Sequence, residues 1–227
     1  MNNYLIETKK IKKNFNHVNG QIIVLKDINI KIKKGELVAL VGPSGSGKSS
    51  LLHLLALLDK PSKGKIYING NETNNLTDKK KEEIRQKQIS IIFQDNNLLS
   101  DFSTIENVLM PLIIRGENYN KSYDKAKKVL KEVNLSDRIN HFPSELSGGE
   151  QQRVAIARSL IAETDLILAD EPTGNLDFKT SQDIFSYFLK LKKMKKTIIF
   201  ATHNRELANK ADYKLSILNG NIKKTNG

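Results

Sequence analysis

The sequence predicts an α/β protein in which a core of alternating strands and helices is preceded by extra strands and interrupted by a helical segment. Short β-branched runs dominate the first third of the 227 residues, and residues 95–162 have mostly helical patterns. Strand and helix patterns alternate again afterwards, and a glycine-rich loop at residues 42–50 joins an apolar strand to an apolar helix. With no internal repeat or low-complexity linker, the chain is predicted to be a single domain over 1–227, with a helical subdomain at about 95–162.

Each strand is predicted from a short apolar, β-branched run, and each helix from apolar residues spaced three and four apart. The predicted strands are Leu5–Ile11, Ile22–Leu25, Ile28–Ile32, Leu37–Val41, Lys65–Ile68, Ile89–Phe93, Leu166–Ala169, Ile198–Ala201 and Lys214–Leu218. The predicted helices are Lys48–Leu58, Lys79–Lys87, Ile105–Ile114, Tyr123–Val133, Gly149–Ile161, Ser181–Leu191 and Arg205–Ala211. Proline and glycine predict turns at 60–64 and 218–221.

Composition excludes several classes of protein. The absence of cysteine excludes a disulfide framework, a thiol nucleophile and an iron–sulfur cluster. The longest apolar runs, at 54–58 and 109–114, are far shorter than the ~20 residues that a transmembrane helix needs. The N-terminal segment lacks the apolar stretch of a signal peptide. We therefore expect a cytoplasmic protein that reaches a membrane through a partner.

The formal net charge of +12 raises the question of nucleic-acid binding. The lysines are scattered in short groups along the chain, for example at 9–10, 79–81 and 192–196. This distribution favours solvated faces over a dedicated nucleic-acid surface, and leaves an attraction to a membrane surface open. We expect no specific nucleic-acid partner.

The strongest motif is GPSGSGKS at residues 42–49, which matches G-x-x-x-x-G-K-S between a strand and a helix. Glycines let backbone N–H groups curl around phosphates, and the helix N-terminus adds the positive end of its dipole. In such a loop Lys48 reaches the β- and γ-phosphates, and the Ser49 hydroxyl binds magnesium. The motif predicts a nucleoside triphosphatase whose phosphate-binding residues are Gly42, Pro43, Ser44, Gly45, Ser46, Gly47, Lys48, Ser49 and Ser50.

Adenine is the predicted base, although NKAD at 209–212 matches the guanine-reading pattern N-K-x-D. The apolar residues Leu207, Ala208 and Ala211 have helical spacing there, whereas guanine recognition needs a loop after a strand. A GTPase also needs D-x-x-G, and Thr173 occupies the glycine position in the nearest candidate, DEPTG.

Two adjacent carboxylates, Asp170 and Glu171, end the apolar strand in DLILADE. Ligands of open α/β sheets bind at the carboxyl ends of strands, which places both acids beside the phosphate loop. Asp170 suits water-mediated magnesium binding, and Glu171 suits the general base that activates the attacking water.

Gln94 and His203 occupy the same position after two other strands. The Gln94 amide can reach the metal and its water, and His203 lies where a sensor of the γ-phosphate is needed. We predict catalytic roles for Glu171, His203 and Gln94, and metal contacts for Ser49, Gln94 and Asp170.

Together these motifs resemble the ATP-binding subunits of ABC transporters over nearly the whole chain. The matching landmarks are Phe15, the Walker A loop at 42–49, the Q-loop residue Gln94, the signature LSGGE at 146–150, the Walker B strand at 166–171, the D-loop GNLD at 174–177 and the H-loop residue His203. The resemblance implies a P-loop NTPase fold of the ABC ATPase type, with a RecA-like core, an antiparallel β layer and a helical subdomain. It also implies ATP and Mg²⁺ as ligands, with Phe15 stacked on adenine and Asp177 at the nucleotide.

The signature supplies a second half-site. Ser147 and Glu150 form a capping box in the sequence, so a helix begins at Gly148 with free N–H groups. The resemblance implies that Ser147, Gly148 and Gly149 close over the γ-phosphate held by another copy. Two copies arranged head to tail then complete two sites.

Four segments, 51–66, 92–114, 143–161 and 168–177, resemble more narrowly the ATPases of the lipoprotein-releasing systems of Gram-negative bacteria. That resemblance implies membrane subunits similar to LolC and LolE, contacted through residues 95–115, at the cytoplasmic face of the inner membrane. ATP hydrolysis would drive extraction of outer-membrane lipoproteins. The ATPases of MacB-like exporters and FtsE-like division complexes remain alternatives because they share DEPTGNLD. A nucleic-acid-associated ABC ATPase is disfavoured by the single domain and the lack of heptads and cysteines.

Overall fold

The computed structural model describes residues 3–18, 20–174 and 176–226, which form two sheets and seven α-helices. The strands are β1 Tyr4–His17, β2 Gly20–Ile28, β3 Lys31–Lys33, β4 Leu37–Val41, β5 Lys63–Ile68, β6 Asn71–Glu72, β7 Ile89–Ile92, β8 Leu166–Asp170, β9 Thr197–Ala201, β10 Tyr213–Leu218 and β11 Asn221–Asn226. The helices are α1 Lys48–Leu55, α2 Asp78–Gln88, α3 Thr104–Ile114, α4 Tyr119–Glu132, α5 Gly148–Ile161, α6 Phe178–Lys193 and α7 Arg205–Ala208. Two short 3-10 helices lie at Ser136–Arg138 and Pro143–Glu145.

The central sheet has the order β11-β10-β4-β9-β8-β7, and all its pairs are parallel except β10 with β11. Both faces of this sheet are covered, which explains why β4 is a continuous apolar run. Leu37 and Ala39 belong to the core shared with α3–α6, whereas Val38 and Leu40 belong to the core shared with α1 and the second sheet.

The second sheet is antiparallel, with the order β2-β1-β5-β6 and β3 also paired with β1. Its buried side chains pack with those of α1 in one hydrophobic core. The register of β1 shifts between Lys9 and Lys12 against β5, and Lys10 there has a positive φ of 50°. The extra strand layer predicted early in the sequence is this sheet.

Helices α3, α4 and α5 pack against one another, and α5 also contacts β7 and α6. Their apolar side chains join those of the central sheet in one core. The helix starts follow from capping: Ser103 and Glu106 form a capping box at α3, and the Asn118 side chain accepts from the Lys121 N–H at α4. None of the helices in the described residues is long and apolar enough to span a bilayer.

The structure corrects several predicted boundaries. The single strand predicted at Ile28–Ile32 is wrong, because Ile28 ends β2 and β3 begins at Lys31. The Thr8 Oγ1 hydroxyl accepts the Ile30 N–H at this break, and Asp27 has a positive φ of 54°. The helix predicted to reach Leu58 ends at Leu55, and the one predicted to reach 211 ends at 208, while the helices predicted from 123 and 181 begin at 119 and 178. Strands β6 and β11 were not predicted.

Candidate active site

The phosphate loop and the predicted residues Gln94, Asp170 and His203 lie at the carboxyl ends of four neighbouring parallel strands. The phosphate loop follows β4, Gln94 follows β7, Asp170 ends β8, and His203 follows β9. The sheet order places these ends side by side. A cavity of 270 Å³, here called the phosphate cavity, is lined by Val24 and the predicted residues Ser44, Gly45, Gly47, Lys48, Ser49, Ser50, Gln94, Asp170 and Glu171.

Two positions of the phosphate loop require glycine. A Cβ on Gly42, whose φ is 156°, would lie 2.4 Å from the Ile217 carbonyl oxygen. A Cβ on Gly47, whose φ is 103°, would lie 2.9 Å from side-chain atoms of Val24 and Leu25. Gly47 is the N-cap of α1, so the free N–H groups of the first turn open toward the loop. This backbone is suited to binding an anion.

The Lys48 side chain is held by backbone carbonyls of its own loop. Its Nζ donates to the carbonyl oxygens of Gly42 at 3.0 Å and Pro43 at 3.3 Å. Its side chain is 10% exposed. An ammonium group fixed in this way supplies a positive charge to the phosphate cavity without a large loss of side-chain entropy on ligand binding.

The residues predicted to bind metal fit a magnesium ion held partly by phosphates. Asp170 Oδ1 and Ser46 Oγ are buried without a hydrogen-bond partner in the described structure, which costs about 1–3 kcal/mol each unless a ligand or water satisfies them. Ser49, Gln94 and Asp170 all line the phosphate cavity and carry oxygen donors. The described residues contain no cluster of three or more His, Cys, Asp or Glu that could hold a metal. Magnesium does not need one, because it is bound through one or two protein groups plus substrate phosphates.

Glu171 links two other predicted site residues. Its Oε1 lies 3.8 Å from Lys48 Nζ, and its Oε2 lies 3.0 Å from His203 Nδ1. The His203 backbone N–H also donates to Oε2 at 3.3 Å. The positive φ of Glu171, 44°, is fixed by its own N–H bond to the Ala201 carbonyl and by the Gly174 N–H bond to the Glu171 carbonyl. The base, the lysine and the sensor predicted from three separate motifs therefore form one connected row.

Gln94 lies between the phosphate cavity and a second one. This second cavity, of 260 Å³, is lined by Gln94 and Glu171 and also by Gly148 of the signature. We call it the loop–helix cavity because it separates the segment after β7 from α5. Gln94 is thus placed next to both predicted half-sites within one chain.

The signature begins α5 through the predicted capping box. The Ser147 Oγ accepts the Glu150 N–H at 3.3 Å, and Glu150 Oε2 accepts the Ser147 N–H at 2.8 Å. Arg138 Nε donates to Glu150 Oε1 at 2.9 Å. The hydrogen bond from the Ser147 backbone, assisted by Arg138, lowers the pKa of Glu150 to about 2 against the opposing effect of burial. The carboxylate is therefore charged and the helix start is fixed.

The two signature glycines differ in their surroundings. A Cβ on Gly149 would lie 2.8 Å from Thr180 Cγ2, so this glycine allows α5 to pack closely on α6. A Cβ on Gly148 would meet only Leu176 Cδ2, at an ordinary 3.9 Å. Gly148 is exposed and is not required by packing within the chain.

Phe15 does not line the phosphate cavity. It lies opposite Ile22 in the β1–β2 pair, with a 44% exposed side chain. Lys13 Nζ lies 4.8 Å from the centroid of its ring. Its stacking on adenine stays a prediction.

Asp177 has a local structural partner. As the N-cap of α6 it accepts from the Thr180 N–H at 3.0 Å and the Thr180 hydroxyl at 2.6 Å, and these bonds lower its pKa. Its contact with a nucleotide stays a prediction. Asn175, in the same predicted D-loop, lies outside the described residues.

Two site residues were missed from the sequence. Val24, on β2 of the antiparallel sheet, lines the phosphate cavity. Arg158, on α5, donates to two backbone carbonyls in the segment after Gln94. Both contacts join parts distant in the chain, and no local pattern indicates them.

The fold and the site together define a P-loop ATPase of the ABC type. A protein-family model described as ABC transporter matches residues 25–174. The chain belongs to the ABC transporter family, and the predicted fold and ATPase activity are confirmed.

The relatives narrow this class. The chain is 48% identical to the lipoprotein-releasing system ATP-binding protein LolD of Rickettsia bellii (strain RML369-C), over 95% of this chain and 96% of the relative. It is 45% identical to LolD of Wigglesworthia glossinidia brevipalpis over 100% of both chains. A solved structure, the dimeric post-hydrolysis state of the ATP-binding cassette MJ0796 bound to ADP and Pi, has a TM-score of 0.92 and 36% identity, covering 97% of this chain and 98% of that one. The predicted similarity to LolD is confirmed.

Proposed function

We propose that this chain hydrolyses ATP at the phosphate cavity with Glu171 as the general base and His203 as the sensor of the γ-phosphate. The observation that carries this assignment is the row from Lys48 Nζ through the Glu171 carboxylate to His203 Nδ1, at 3.8 Å and 3.0 Å. Lys48 neutralises the β- and γ-phosphates, Glu171 takes the proton of the attacking water, and His203 orients the carboxylate. The adenine base stacks on Phe15.

Magnesium is part of the proposal. Ser49, Gln94 and Asp170 would hold it, and it supplies positive charge that stabilises the transferred phosphoryl group. The unpartnered Asp170 Oδ1 supports this assignment, because it needs a donor that the described residues do not supply.

We further propose that the working unit contains two copies, with Ser147, Gly148 and Gly149 of one facing the phosphate loop of the other. The exposed Gly148 at the N-terminus of α5 supports this, because packing within the chain does not require a glycine at this position. The dimeric arrangement of the similar cassette MJ0796 agrees with it.

Light scattering tests the composite site. Glu171→Gln should bind ATP without hydrolysing it and accumulate as an ATP-dependent dimer. Adding Gly148→Glu puts a carboxylate against the partner's γ-phosphate and should abolish the dimer, while the open space around Gly148 lets the monomer fold and bind ATP. A double variant that dimerises as well as the single one would remove the signature from the site. The corresponding Gly149 variant is unsuitable, because its clash with Thr180 perturbs the fold.

The transport function follows from the LolD relatives. We propose that the chain powers release of lipoproteins from the inner membrane, bound at its cytoplasmic face to membrane subunits similar to LolC and LolE. Leu99 and Phe102, 42% and 38% exposed in the predicted contact segment 95–115, offer an apolar surface for such a subunit. The similarity to LolD relatives favours this function over a MacB-like or FtsE-like one.

Affinity purification from membranes tests this partner. Wild-type protein should capture a permease of the lipoprotein-releasing type, and Leu99→Asp/Phe102→Asp should lose it while its ATP affinity is retained. Capture of an exporter or division protein instead would refute the lipoprotein assignment.

A further inference from the structure

Arg158 joins α5 to the segment that follows Gln94. Its Nη1 donates to the Asn97 carbonyl at 2.9 Å and its Nη2 to the Asn96 carbonyl at 2.7 Å. Both asparagines have left-handed backbones, with φ of 58° and 44°. Non-glycine residues keep such a conformation only where the surroundings hold it, although asparagine tolerates it best. The guanidinium is therefore part of what fixes this loop.

Arginine is suited to this contact. Its planar group presents parallel N–H donors that can bind two carbonyls at once, which a lysine cannot do with the same geometry. Burial lowers the pKa of the Arg158 guanidinium below its usual range. The structure thus keeps a partly buried cation here, hydrogen-bonded to two backbone oxygens.

The far end of the same loop is fixed separately. The fully buried Asn107 on α3 accepts the Leu99 N–H with Oδ1 at 2.8 Å and donates with Nδ2 to the Leu99 carbonyl at 3.0 Å. With Arg158 holding 96 and 97, the segment 96–99 is attached to the helical part of the chain. Only Asp95 separates Gln94 from it.

The contact also contains an unpaired donor and an unpaired acceptor. Asn96 Oδ1 and Gln152 Nε2 are buried, have no hydrogen-bond partner in the described structure, and belong to residues that line the loop–helix cavity. The loop and α5 are therefore not joined by these two side chains, and the guanidinium of Arg158 carries the hydrogen bonds between them.

We propose that Arg158 is a positioning residue that makes the location of Gln94 depend on the location of α5. The signature opens this helix at Gly148, ten residues or about 15 Å along the axis before Arg158. A displacement of α5 that brings the signature onto a nucleotide is transmitted by the guanidinium to the Asn96 carbonyl and so to Gln94. This inference rests on the proposed function of Gln94 in the phosphate cavity.

The test compares two arginines that each donate hydrogen bonds to two backbone carbonyls. Arg115 donates from Nε to the Gln86 carbonyl and from Nη2 to the Ala162 carbonyl, both at 2.8 Å, away from the Gln94 loop. Arg158→Met, Arg158→Lys and the matched control Arg115→Met are measured for kcat, ATP affinity and thermal midpoint. We expect both Arg158 variants to lower kcat by about tenfold to a hundredfold, the range that misplacing a positioned group produces. The ATP affinity of the Arg158 variants should stay within about twofold of wild type. Arg115→Met should lower the thermal midpoint as much as the Arg158 variants do, and its kcat should equal that of wild type.

A double-mutant cycle separates positioning from general destabilisation. If Arg158 acts through Gln94, Gln94→Ala/Arg158→Met should be no slower than Gln94→Ala alone. Losses that multiply, or an Arg115→Met variant as slow as Arg158→Met at equal thermal midpoint, would overturn the inference. Normal hydrolysis by Gln94→Ala would instead overturn the role of Gln94 and this inference with it, whereas a slow Gln94→Ala with a normal Arg158→Met overturns only the inference.

Discussion

Glu171→Gln should change nucleotide affinity and turnover in opposite directions. The Glu171 carboxylate lies 3.8 Å from the Lys48 ammonium, with side chains only 13% and 10% exposed. Opposite charges at about 4 Å attract by about 4 kcal/mol at an effective dielectric of about 20. ATP must compete with this attraction for Lys48, and its phosphates are also repelled by the carboxylate.

The gain in ATP affinity in Glu171→Gln should be smaller than the full attraction between the Glu171 carboxylate and Lys48. Lys48 keeps its two carbonyl partners, and the open cavity lets water screen the charges. If about a third of the attraction is recovered, ATP binding strengthens by about 1.4 kcal/mol, which is about tenfold. Turnover should fall by about 10²–10⁴-fold, the usual contribution of a general base.

The assay is an equilibrium titration with a non-hydrolysable ATP analogue, at protein concentrations where light scattering reports monomers. Glu82→Gln is the matched control, because it removes the same charge from an exposed site on α2. Affinity that stays at the wild-type value, or weakens, in Glu171→Gln would refute the competition between Glu171 and phosphate for Lys48. Equal strengthening in Glu82→Gln would attribute the effect to net charge.

Three further predictions each concern a single residue. Lys48→Ala should lower ATP affinity by about a hundredfold or more in a fluorescence titration, because Lys48 is the only lysine among the described residues lining the phosphate cavity; near-normal affinity would contradict the phosphate-loop assignment. Phe15→Ala should weaken ATP by about 1–3 kcal/mol in calorimetry and leave inorganic triphosphate unchanged; unaltered ATP binding would remove Phe15 from the site. Glu150→Gln should lower the free energy of unfolding by about 1 kcal/mol at neutral pH. Because folding lowers the pKa of Glu150 from 4.5 to about 2, its stabilisation is complete above pH 4.5 and is lost as the pH falls toward 2. Urea denaturation across that range should show the gap between variant and wild type closing, and a gap independent of pH would count against the charged capping box.

The parallel strands of the central sheet were predictable because they are buried on both faces. Residues such as those of β4 and β9 form uninterrupted apolar runs, and the strand of Leu37–Val41 has the predicted bounds. The antiparallel sheet was harder, because its outer positions are lysines that weaken the apolar signal. The edge strand of the central sheet was also missed. This strand, β11, has the sequence NIKKTN with Ile222 as its one apolar residue, and it forms by hydrogen bonding to β10. No propensity in that segment predicts a strand.

The candidate site also has residues that could be predicted from the sequence and residues that could not. The loop that carries Lys48 follows β4, and Asp170 and Glu171 lie at the end of β8, so the rule that parallel strands end at one edge was enough to place them together. Arg158 lies in a largely buried stretch of α5, and its partners are backbone carbonyls that any sequence would provide. Contacts between a side chain and a distant backbone leave no trace in composition or spacing, so only the folded chain identifies them.

The charges around the phosphate cavity argue that one chain alone is an incomplete ATPase. Its lining contains one lysine and two carboxylates, Asp170 and Glu171, so the side chains bring more negative than positive charge to a ligand that is itself a polyanion. The N–H groups of α1 offset part of this repulsion through partial charges of about half a unit. In the proposed mechanism the rest comes from two groups, a divalent cation and the N-terminus of a second copy's α5. The same acids that make the isolated cavity unfavourable for ATP would then act as a metal ligand and as the base. We therefore expect hydrolysis to be tightly coupled to assembly, because in the proposed two-copy state the charge of the triphosphate is balanced.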